Sequence, residues 1–386
     1  MLRRWRWLRL RRKAAAPQTP NPPRPGDGAV SGAALYVAAL ASGDEAAAAQ
    51  GLRQLLAAAE QAIAPSGITV EGSSRRQRQL ASLYLGAWLA ARRNQRAEQW
   101  RLGAIARGLH AALGAITLPG GLPDIGAAPA DETRLALDDD DGKAAEALLR
   151  QARLDDLEAL RPDGWLRLDV GPWSGLWHCP PTGWPAEGGL CHQDVTSCEL
   201  QWRGLPLIVD PGSPPPERPE LGRLYRSYAV HSGISLDERE PYPFDRPFYD
   251  DRFRRDIAGP KPVLRTIADG VRVETEGFAR FGGHRRIERH WRFEGGALRI
   301  DDEILGTGRP LVERRLITPW QVERRDDALL LRQDGHRLRL SADHPFTLLP
   351  ARRFGEDGIE RPLTLILLSD RVNLPWRGSI LLQPEF

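Results

Sequence analysis

Two histidines and an aspartate in the middle of the chain have the residue types needed to bind a metal ion. His192 occurs in "CHQD", Asp210 ends the apolar run in "LPLIVDPG", and His231 follows in "SYAVHSG". If they come from neighbouring strands, they form a nitrogen, nitrogen, oxygen set suited to Zn²⁺, with water completing the tetrahedron. Alternatively, His192 is a neutral imidazole that hydrogen-bonds to Asp194 or Asp210 and holds adjacent strands together.

The cysteines suggest a different metal site. His178-Cys179 and Cys191-His192 are adjacent pairs that could contribute to a sulfur-rich zinc site. With Cys198, the chain has three cysteines, which cannot all pair and are too few for a disulfide framework. The alternative interpretation is that all three are reduced packing residues.

The elements that would position these residues change type near residue 161. A chain of 386 residues exceeds the usual size of a single core, so two domains are expected. Residues 29–160 are rich in Ala, Leu and Arg, and their apolar positions recur at helical spacing. Residues 161–386 contain short alternating segments separated by turns, including an Asp334-Gly335 hairpin signal. The fold class predicted is α+β multidomain: a short helical domain, then an antiparallel β-sandwich.

Residues 1–28 form a basic tail and a Pro-rich linker. "MLRRWRWLRLRRK" contains seven of the 54 Lys and Arg residues and no acidic residue, so the remainder has 47 basic against 51 acidic residues. The body therefore lacks the basic excess that favours nucleic-acid binding, and no nucleic-acid partner is predicted. Arginine and tryptophan suit an anionic membrane surface, so the tail could make peripheral membrane contact. A solvated tail is the alternative, and it is the commoner reading of such a charge run.

No apolar segment approaches the roughly 20 residues of a membrane span, and the tail lacks the apolar core of a secretory signal. The expected location is therefore cytoplasmic or membrane-peripheral.

The segments "CHQDVTSCELQWRGLPLIVDPG" and "RSYAVHSGISLD" resemble the heparinase II/III family of polysaccharide lyases. The sheet domain of that family carries H-x-H-x-D, a D-x-G turn and R-S-T-x-x-H-N. The likeness continues through "GGHRRIERHWRFEGGALRIDDEILG" and covers residues 160–310. It implies an α/α toroid followed by an antiparallel β-sandwich. It also implies a structural zinc, which in this chain would be bound by His192, Asp210 and His231. Family members are often periplasmic.

The resemblance also implies β-elimination on an acidic, uronic-acid-containing polysaccharide. This reaction needs a group that neutralises the carboxylate, a base for the neighbouring proton and an acid for the leaving oxygen. The family uses a tyrosine and a histidine of the toroid and the first histidine of H-x-H-x-D. Arg76, Gln77 and Leu190 stand at these positions here. The helical interval 29–160 is also too short to supply the full ring of a toroid.

Other residues could act as surrogates. Tyr228 could serve as acid and base while Arg226 neutralises a carboxylate, although tyrosines in such a segment are commonly packed in the sandwich. His284 and Arg286 alternate onto one strand face and could bind an acidic sugar, because arginine forks match carboxylate and sulfate. A solvated strand edge is the other interpretation of this pair.

Two functions remain open. The first is a heparinase II/III-like polysaccharide lyase with weak or relocated chemistry. The second is a non-catalytic protein that binds acidic polysaccharide or takes part in exopolysaccharide assembly, having kept the sandwich and lost the proton-transfer groups.

Overall fold

The computed structural model describes residues 26–127, 139–180, 190–215, 217–243, 251–283, 285–355 and 357–385. Helices precede antiparallel strands in this part of the chain, which confirms the predicted fold class. The first helix begins at Asp27, so the last two residues assigned to the linker are helical. The rest of the basic tail, residues 1–25, and His284 lie outside the described residues. Among the helices described, none combines the length and apolarity needed to cross a membrane.

The helical domain is built from paired helices with defined starts. The side chain of Asp44 accepts a hydrogen bond from the Ala47 amide, and that of Ser73 accepts one from the Arg76 amide, so each satisfies a free donor at a helix start. The described helices here are α1 (Asp27–Ser42), α2 (Glu45–Ala62), α3 (Ser74–Arg93), α4 (Gln99–Ile116) and α5 (Asp139–Gln151), followed by a 3₁₀ helix (Leu157–Asp163). Helix α1 packs on α2 and α3, and α3 packs on α4.

Strands follow from residue 165. They are β1 (Trp165–Val170), β2 (Trp173–His178), β3 (Glu199–Trp202), β4 (Leu205–Ile208), β5 (Gly233–Leu236), β6 (Val263–Ile267), β7 (Gly270–Thr275), β8 (Arg286–Glu294), β9 (Ala297–Leu305), β10 (Leu311–Thr318), β11 (Gln321–Arg325), β12 (Ala328–Gln333), β13 (His336–Ala342), β14 (Thr347–Phe354), β15 (Glu360–Arg371) and β16 (Trp376–Pro384). Short helices interrupt them: α6 (Pro219–Tyr225), α7 (Asp251–Ala258) and 3₁₀ turns at Tyr228–Val230 and Ala279–Phe281.

The strands form three antiparallel sheets in the described part of the chain. Their orders are β1-β2-β3-β4, β14-β15-β10-β5 and β11-β12-β13-β16-β9-β8-β7-β6. Tight hairpins connect β8 to β9 through Gly295-Gly296 and β12 to β13 through Asp334-Gly335. All four turn residues have positive φ, the conformation of a type I′ turn that Gly and Asp tolerate best.

One apolar core joins all three sheets. Trp177 of β2 meets Trp291 of β8 edge to face, with 5.6 Å between the ring centroids. A smaller core joins the helical domain to the first sheet, where Ile116 and Ile125 pack with Trp165 and Leu176. The helical domain and the sandwich are therefore in contact. The metal-binding candidates His192, Asp210 and His231 lie beside this junction.

Candidate metal centre and domain junction

Three short segments next to the first and second sheets supply the metal-binding candidates. His192 precedes β3, Asp210 lies two residues after the end of β4, and His231 lies two residues before β5. The Asp210 turn is held by its own hydrogen bonds. The Asp210 amide donates to Glu199 Oε1 at 2.7 Å, and the Gly212 amide donates to Asp210 Oδ1 at 2.8 Å.

The three side chains converge on one point. Asp210 Oδ2 lies 3.3 Å from His192 Nδ1 and 3.2 Å from His231 Nε2, and these two ring nitrogens are 2.8 Å apart. His192 and His231 are each 1% exposed and Asp210 is 4% exposed, so bulk water does not solvate the group. The convergence of long-range His and Asp residues predicted from the sequence is present.

Hydrogen bonding and charge prepare this group for a cation. His231 Nδ1 lies 2.7 Å from the Ser227 carbonyl, which can only accept, so the Nε2 of a neutral His231 presents a lone pair. Burial by itself lowers the pKa of His231, but the Asp210 carboxylate raises it to about 9. Burial would raise the pKa of Asp210, but the two imidazoles lower it well below its ordinary value. A proton or a metal ion is therefore strongly favoured between the three groups.

The geometry fits a small tetrahedral cation. Ligand atoms about 2.0–2.1 Å from a tetrahedral Zn²⁺ lie about 3.3–3.4 Å from one another, close to the separations here. Asp194 joins the group, because one ligand atom from each of the four residues lies within 4.8 Å of all the others. Asp194 Oδ1 is also buried without a hydrogen-bond partner. These four residues could therefore hold Zn²⁺, with Asp194 as a fourth protein ligand. From the sequence, Asp194 is expected only as a hydrogen-bond acceptor for His192.

The cysteines do not join this group. The Cys179 thiol donates to the Val195 carbonyl, and the Cys191 thiol donates to the Glu71 carbonyl across the domain junction. Burial raises the pKa of both thiols well above the ordinary value, so neither is a ready thiolate ligand. Within the described residues, the geometry favours the His and Asp group over a sulfur-rich site.

The positions matched to the family's proton-transfer groups meet at the junction beside this centre. The Leu190 amide donates to the Glu71 carbonyl at 2.8 Å, and the Ala127 amide donates to the Leu190 carbonyl at 2.6 Å. Leu190 is 1% exposed and has no ionisable group. The segments 71–77 and 190–194, which contain the positions matched to the family by resemblance, are thus adjacent in space, and the side chain at the matched histidine position is a leucine.

The side chains of Arg76 and Gln77 bond to other residues of the helical domain. Arg76 Nε lies 2.8 Å from Glu71 Oε2, and its Nη2 lies 2.7 Å from Asp27 Oδ1. Gln77 accepts a hydrogen bond from the Thr69 amide at 2.7 Å and donates to the Gly67 and Leu109 carbonyls. Both side chains are at most 1% exposed. They connect segments of the helical domain and present no group to a cleft.

The predicted catalytic surrogates lie close to the metal candidates. Tyr228 begins the 3₁₀ turn before His231, and the Arg315 guanidinium covers its ring at 4.7 Å from the centroid. Burial raises the pKa of the Tyr228 hydroxyl well above its ordinary value, which opposes a role as a base. Arg226 is exposed, and its carbonyl accepts the Gln193 amide, which ties it to the His192 segment. The proposed roles of these two residues remain predictions.

The predicted sugar-binding pair is only partly visible. His284 lies outside the described residues. Arg286 begins β8, and its Nη2 contacts Glu274 Oε2 at 2.6 Å and Glu288 Oε1 at 2.5 Å. Arg286 is thus paired within the charged outer face of the eight-stranded sheet, and its sugar-binding role remains a prediction.

Two carboxyl groups near the centre were missed by sequence reasoning. Burial raises the pKa of Glu199, which receives the Asp210 amide, to about 8. Burial also raises the pKa of Glu240 to about 7, and Glu240 Oε2 accepts the Tyr228 amide at 2.9 Å. Glu240 follows the alternating segment after His231 without any motif, so the sequence gives no signal for it.

The comparisons with known proteins agree with this architecture. Residues 152–363, more than half of the chain, match the family described as Heparinase II/III-like, C-terminal. Heparinase III has the same fold at a TM-score of 0.67 and 13% sequence identity, covering 94% of this chain and 62% of its own. Heparan sulfate lyase HepC from Pedobacter heparinus gives a TM-score of 0.62 at 12% identity, covering 92% of this chain and 59% of its own.

This chain therefore spans about three fifths of the length of these lyases. No curated protein sequence is detectably similar to it. At such low identities the structural likeness shows the fold alone, whereas the family match rests on the sequence itself. The chain belongs to the heparinase II/III-like family.

Proposed function

We propose that this protein binds an acidic polysaccharide through a zinc-braced heparinase II/III-like sandwich and does not use the family's inherited proton-transfer groups. One contrast supports the proposal. His192, Asp210 and His231 converge at 2.8–3.3 Å, whereas Leu190, Arg76 and Gln77 hold no group that can exchange a proton at neutral pH.

The proposed zinc would brace the fold. With Asp194 as a fourth ligand, four buried protein ligands leave no open position for substrate, which is the arrangement of structural zinc sites. The metal would join the segments before β3, after β4 and before β5, and so fix the surface around Arg226 and Tyr228. Family membership supports the acidic class of ligand, and the names of the similar structures, heparinase III and heparan sulfate lyase HepC, refer to acidic polysaccharides.

A second candidate is a lyase with relocated groups, and Glu240 favours it. A carboxyl with a pKa near 7 can take or give a proton at neutral pH, as elimination requires. Glu240 contacts the backbone of Tyr228, which lies two residues from Arg226. In this reading, Arg226 neutralises the substrate carboxylate while Glu240 or Tyr228 moves the proton.

Ultraviolet absorbance separates the two functions, because elimination creates a conjugated, unsaturated uronate. Purified zinc-loaded protein would be incubated with a panel of uronic-acid polysaccharides, and binding to each would be measured in parallel by calorimetry. We expect binding to at least one polysaccharide with no rise in absorbance, and no rise in Leu190→His.

A rise in the wild type that disappears in both Glu240→Gln and Tyr228→Phe would overturn the binding proposal in favour of the lyase. Absence of both binding and turnover across the panel would overturn both. Arg101→Ala, which removes an exposed ion pair with Glu60 on the helical domain, is the matched control and should bind as the wild type does.

A further inference from the structure

The turn that carries Asp210 is pressed against the helical domain. Gly212, two residues after Asp210, has φ of +70°, and a Cβ at this position would lie 3.1 Å from Asp124 Oδ2 and 2.5 Å from the Phe354 carbonyl. The Phe354 amide donates to the Pro211 carbonyl at 3.1 Å. The turn therefore has little room to move, and one of its boundaries is the side chain of Asp124, which belongs to the helical domain.

Asp124 is itself fixed by two arginines from different domains. Arg75 of α3 forms a two-pronged ion pair with it, and Arg75 Nη2 lies 2.6 Å from Asp124 Oδ2. The same Nη2 donates to the Phe354 carbonyl at 3.3 Å, and Arg353 of β14 lies 3.6 Å from Asp124 Oδ2. The Arg75 and Asp124 side chains are each 5% exposed, so this cluster is a buried connection between the domains.

A second connection reaches the His192 segment. Leu190, two residues before His192, exchanges backbone hydrogen bonds with Glu71 and Ala127 of the helical domain. The Cys191 thiol donates to the same Glu71 carbonyl. The helical domain therefore contacts two of the three segments that carry metal-binding candidates, the Asp210 turn and the His192 segment.

We infer that the helical domain contributes to the zinc affinity of the metal centre, and that Asp124 is a positioning residue for Asp210. This inference rests on the zinc proposed above. The Arg75, Asp124 and Arg353 cluster fixes the backbone of the Asp210 turn, so the carboxylate is aligned before the ion arrives. By linkage, metal binding must then stabilise the docked helical domain by the same free energy that docking contributes to metal affinity.

Zinc affinity of Asp124→Asn tests the positioning role. Affinity would be measured on the full chain by competition with a chromophoric chelator, without polysaccharide. We expect Asp124→Asn to bind zinc about tenfold more weakly, within the range of ordinary coupling between sites, and Asp124→Glu to recover part of the loss. Tyr36→Phe removes the hydrogen bond to Glu98 elsewhere in the helical domain and should leave the affinity unchanged.

Hydrogen exchange of the wild type supplies a second readout that needs no variant. Zinc should slow exchange in residues 71–76 and 123–127, which contain none of the four candidate ligands. Slowing confined to residues 190–194, 208–213 and 226–232, or equal zinc affinity in Asp124→Asn, would overturn the positioning role alone. A wild type that binds no zinc would overturn the metal proposal on which it rests, whatever polysaccharide the protein binds.

Discussion

Two neighbouring regions of this molecule have kept different parts of their family's pattern. On the sandwich side, His192, Asp210 and His231 form a buried, convergent group that can hold a cation. On the helical side, Arg76 and Gln77, which the resemblance matches to a tyrosine and a histidine of the family, form ion pairs and backbone hydrogen bonds. The first region thus presents groups suited to a cation, and the second presents groups used in packing and charge pairing.

A candidate metal centre and a set of proton-transfer groups can change independently when they lie in different segments of one fold. The metal candidates here lie at turns and strand ends of the sandwich. Proton-transfer groups contribute little to stability and can be exchanged for residues that bind neighbours more firmly. The presence of candidate metal ligands is therefore weak support for turnover, and we favour binding as the function.

The largest effect should come from removing a ligand. In Asp210→Asn, we expect the bound zinc to fall from about one ion per chain to near zero, because the carboxylate that contacts both imidazoles is lost. The free energy of unfolding should fall by about 3–5 kcal/mol, as for other broken buried ionic groups. Metal content and urea unfolding would be measured together. Asp301→Asn, a half-buried aspartate on β9, is the control; equal zinc content in both variants would exclude Asp210 as a ligand.

The helical side should show a loss of similar kind without loss of metal. Arg76→Leu removes the ion pair between Arg76 and the buried Glu71 carboxylate, and we expect about 3 kcal/mol of destabilisation in urea unfolding with zinc content unchanged. Arg101→Ala removes an exposed pair and should cost less than about 1 kcal/mol. If the two variants are equally stable, Arg76 contributes no more to stability than an exposed ion pair. The proposed contrast between the sandwich side and the helical side is then wrong.

A pH dependence should distinguish Glu240 from the carboxyl groups at the surface. Its pKa is raised to about 7 by burial from an ordinary value of 4.5, so the folded protein holds a proton that the unfolded chain has released between these limits. The contribution of Glu240 to the free energy of unfolding therefore falls as pH rises from 4.5 to 7. Glu240→Gln should lack this contribution, and its stability relative to the wild type should rise between pH 4.5 and pH 8.

Urea unfolding of both proteins at the two pH values gives the comparison. Glu303→Gln, which changes a partly exposed carboxyl on β9, serves as the control and should follow the wild type. Parallel pH profiles for the wild type and Glu240→Gln would show that Glu240 titrates normally and would remove the observation that favours the relocated lyase.

The smallest effect is expected at Arg286. The Arg286 side chain is 38% exposed, and its partners Glu274 and Glu288 are also paired with Arg272, so Arg286→Ala should change the free energy of unfolding by less than about 1 kcal/mol. Calorimetry with the polysaccharide bound by the wild type tests the predicted sugar contact. Arg377 lies on the same sheet face, on β16. A large loss of affinity in Arg286→Ala, with Arg377→Ala unaffected, would identify the part of this face around Arg286 as the polysaccharide surface.

Local chemistry made much of the fold predictable. The spacing of apolar residues changes from helical to alternating near residue 161. In the structure, the 3₁₀ helix that precedes the strands ends at Asp163, and β1 starts at Trp165. The Asp334-Gly335 signal lies in the expected hairpin because two consecutive positive φ angles suit few residue types, and Gly295-Gly296 forms the turn between β8 and β9 in the same way. Sheet order was beyond this reasoning, since the pairing of β16 with β9 and β13 depends on contacts far apart in sequence.

The site was predictable where a motif fixed it. His192, Asp210 and His231 could be named because their spacing resembles a family pattern, and the structure brings them together. The grouping of Asp194 with them, the raised pKa of Glu240 and the Asp124 cluster depend on burial and on distance in space, which spacing in the sequence does not encode. Burial around Tyr228 is likewise not encoded in spacing: its residue type suits proton transfer, but burial raises the pKa of its hydroxyl, and its role remains a prediction.

The Cys191 thiol gives the molecule an internal reporter of opening. Its sulfur is buried beside Gly72 and donates to the Glu71 carbonyl, so groups of the helical domain cover it while the two domains stay docked. The rate of its alkylation under native conditions is then set by how often the junction separates. The measured alkylation rate of Cys191, over seconds or hours, would therefore report the free energy that holds the helical domain on the sandwich.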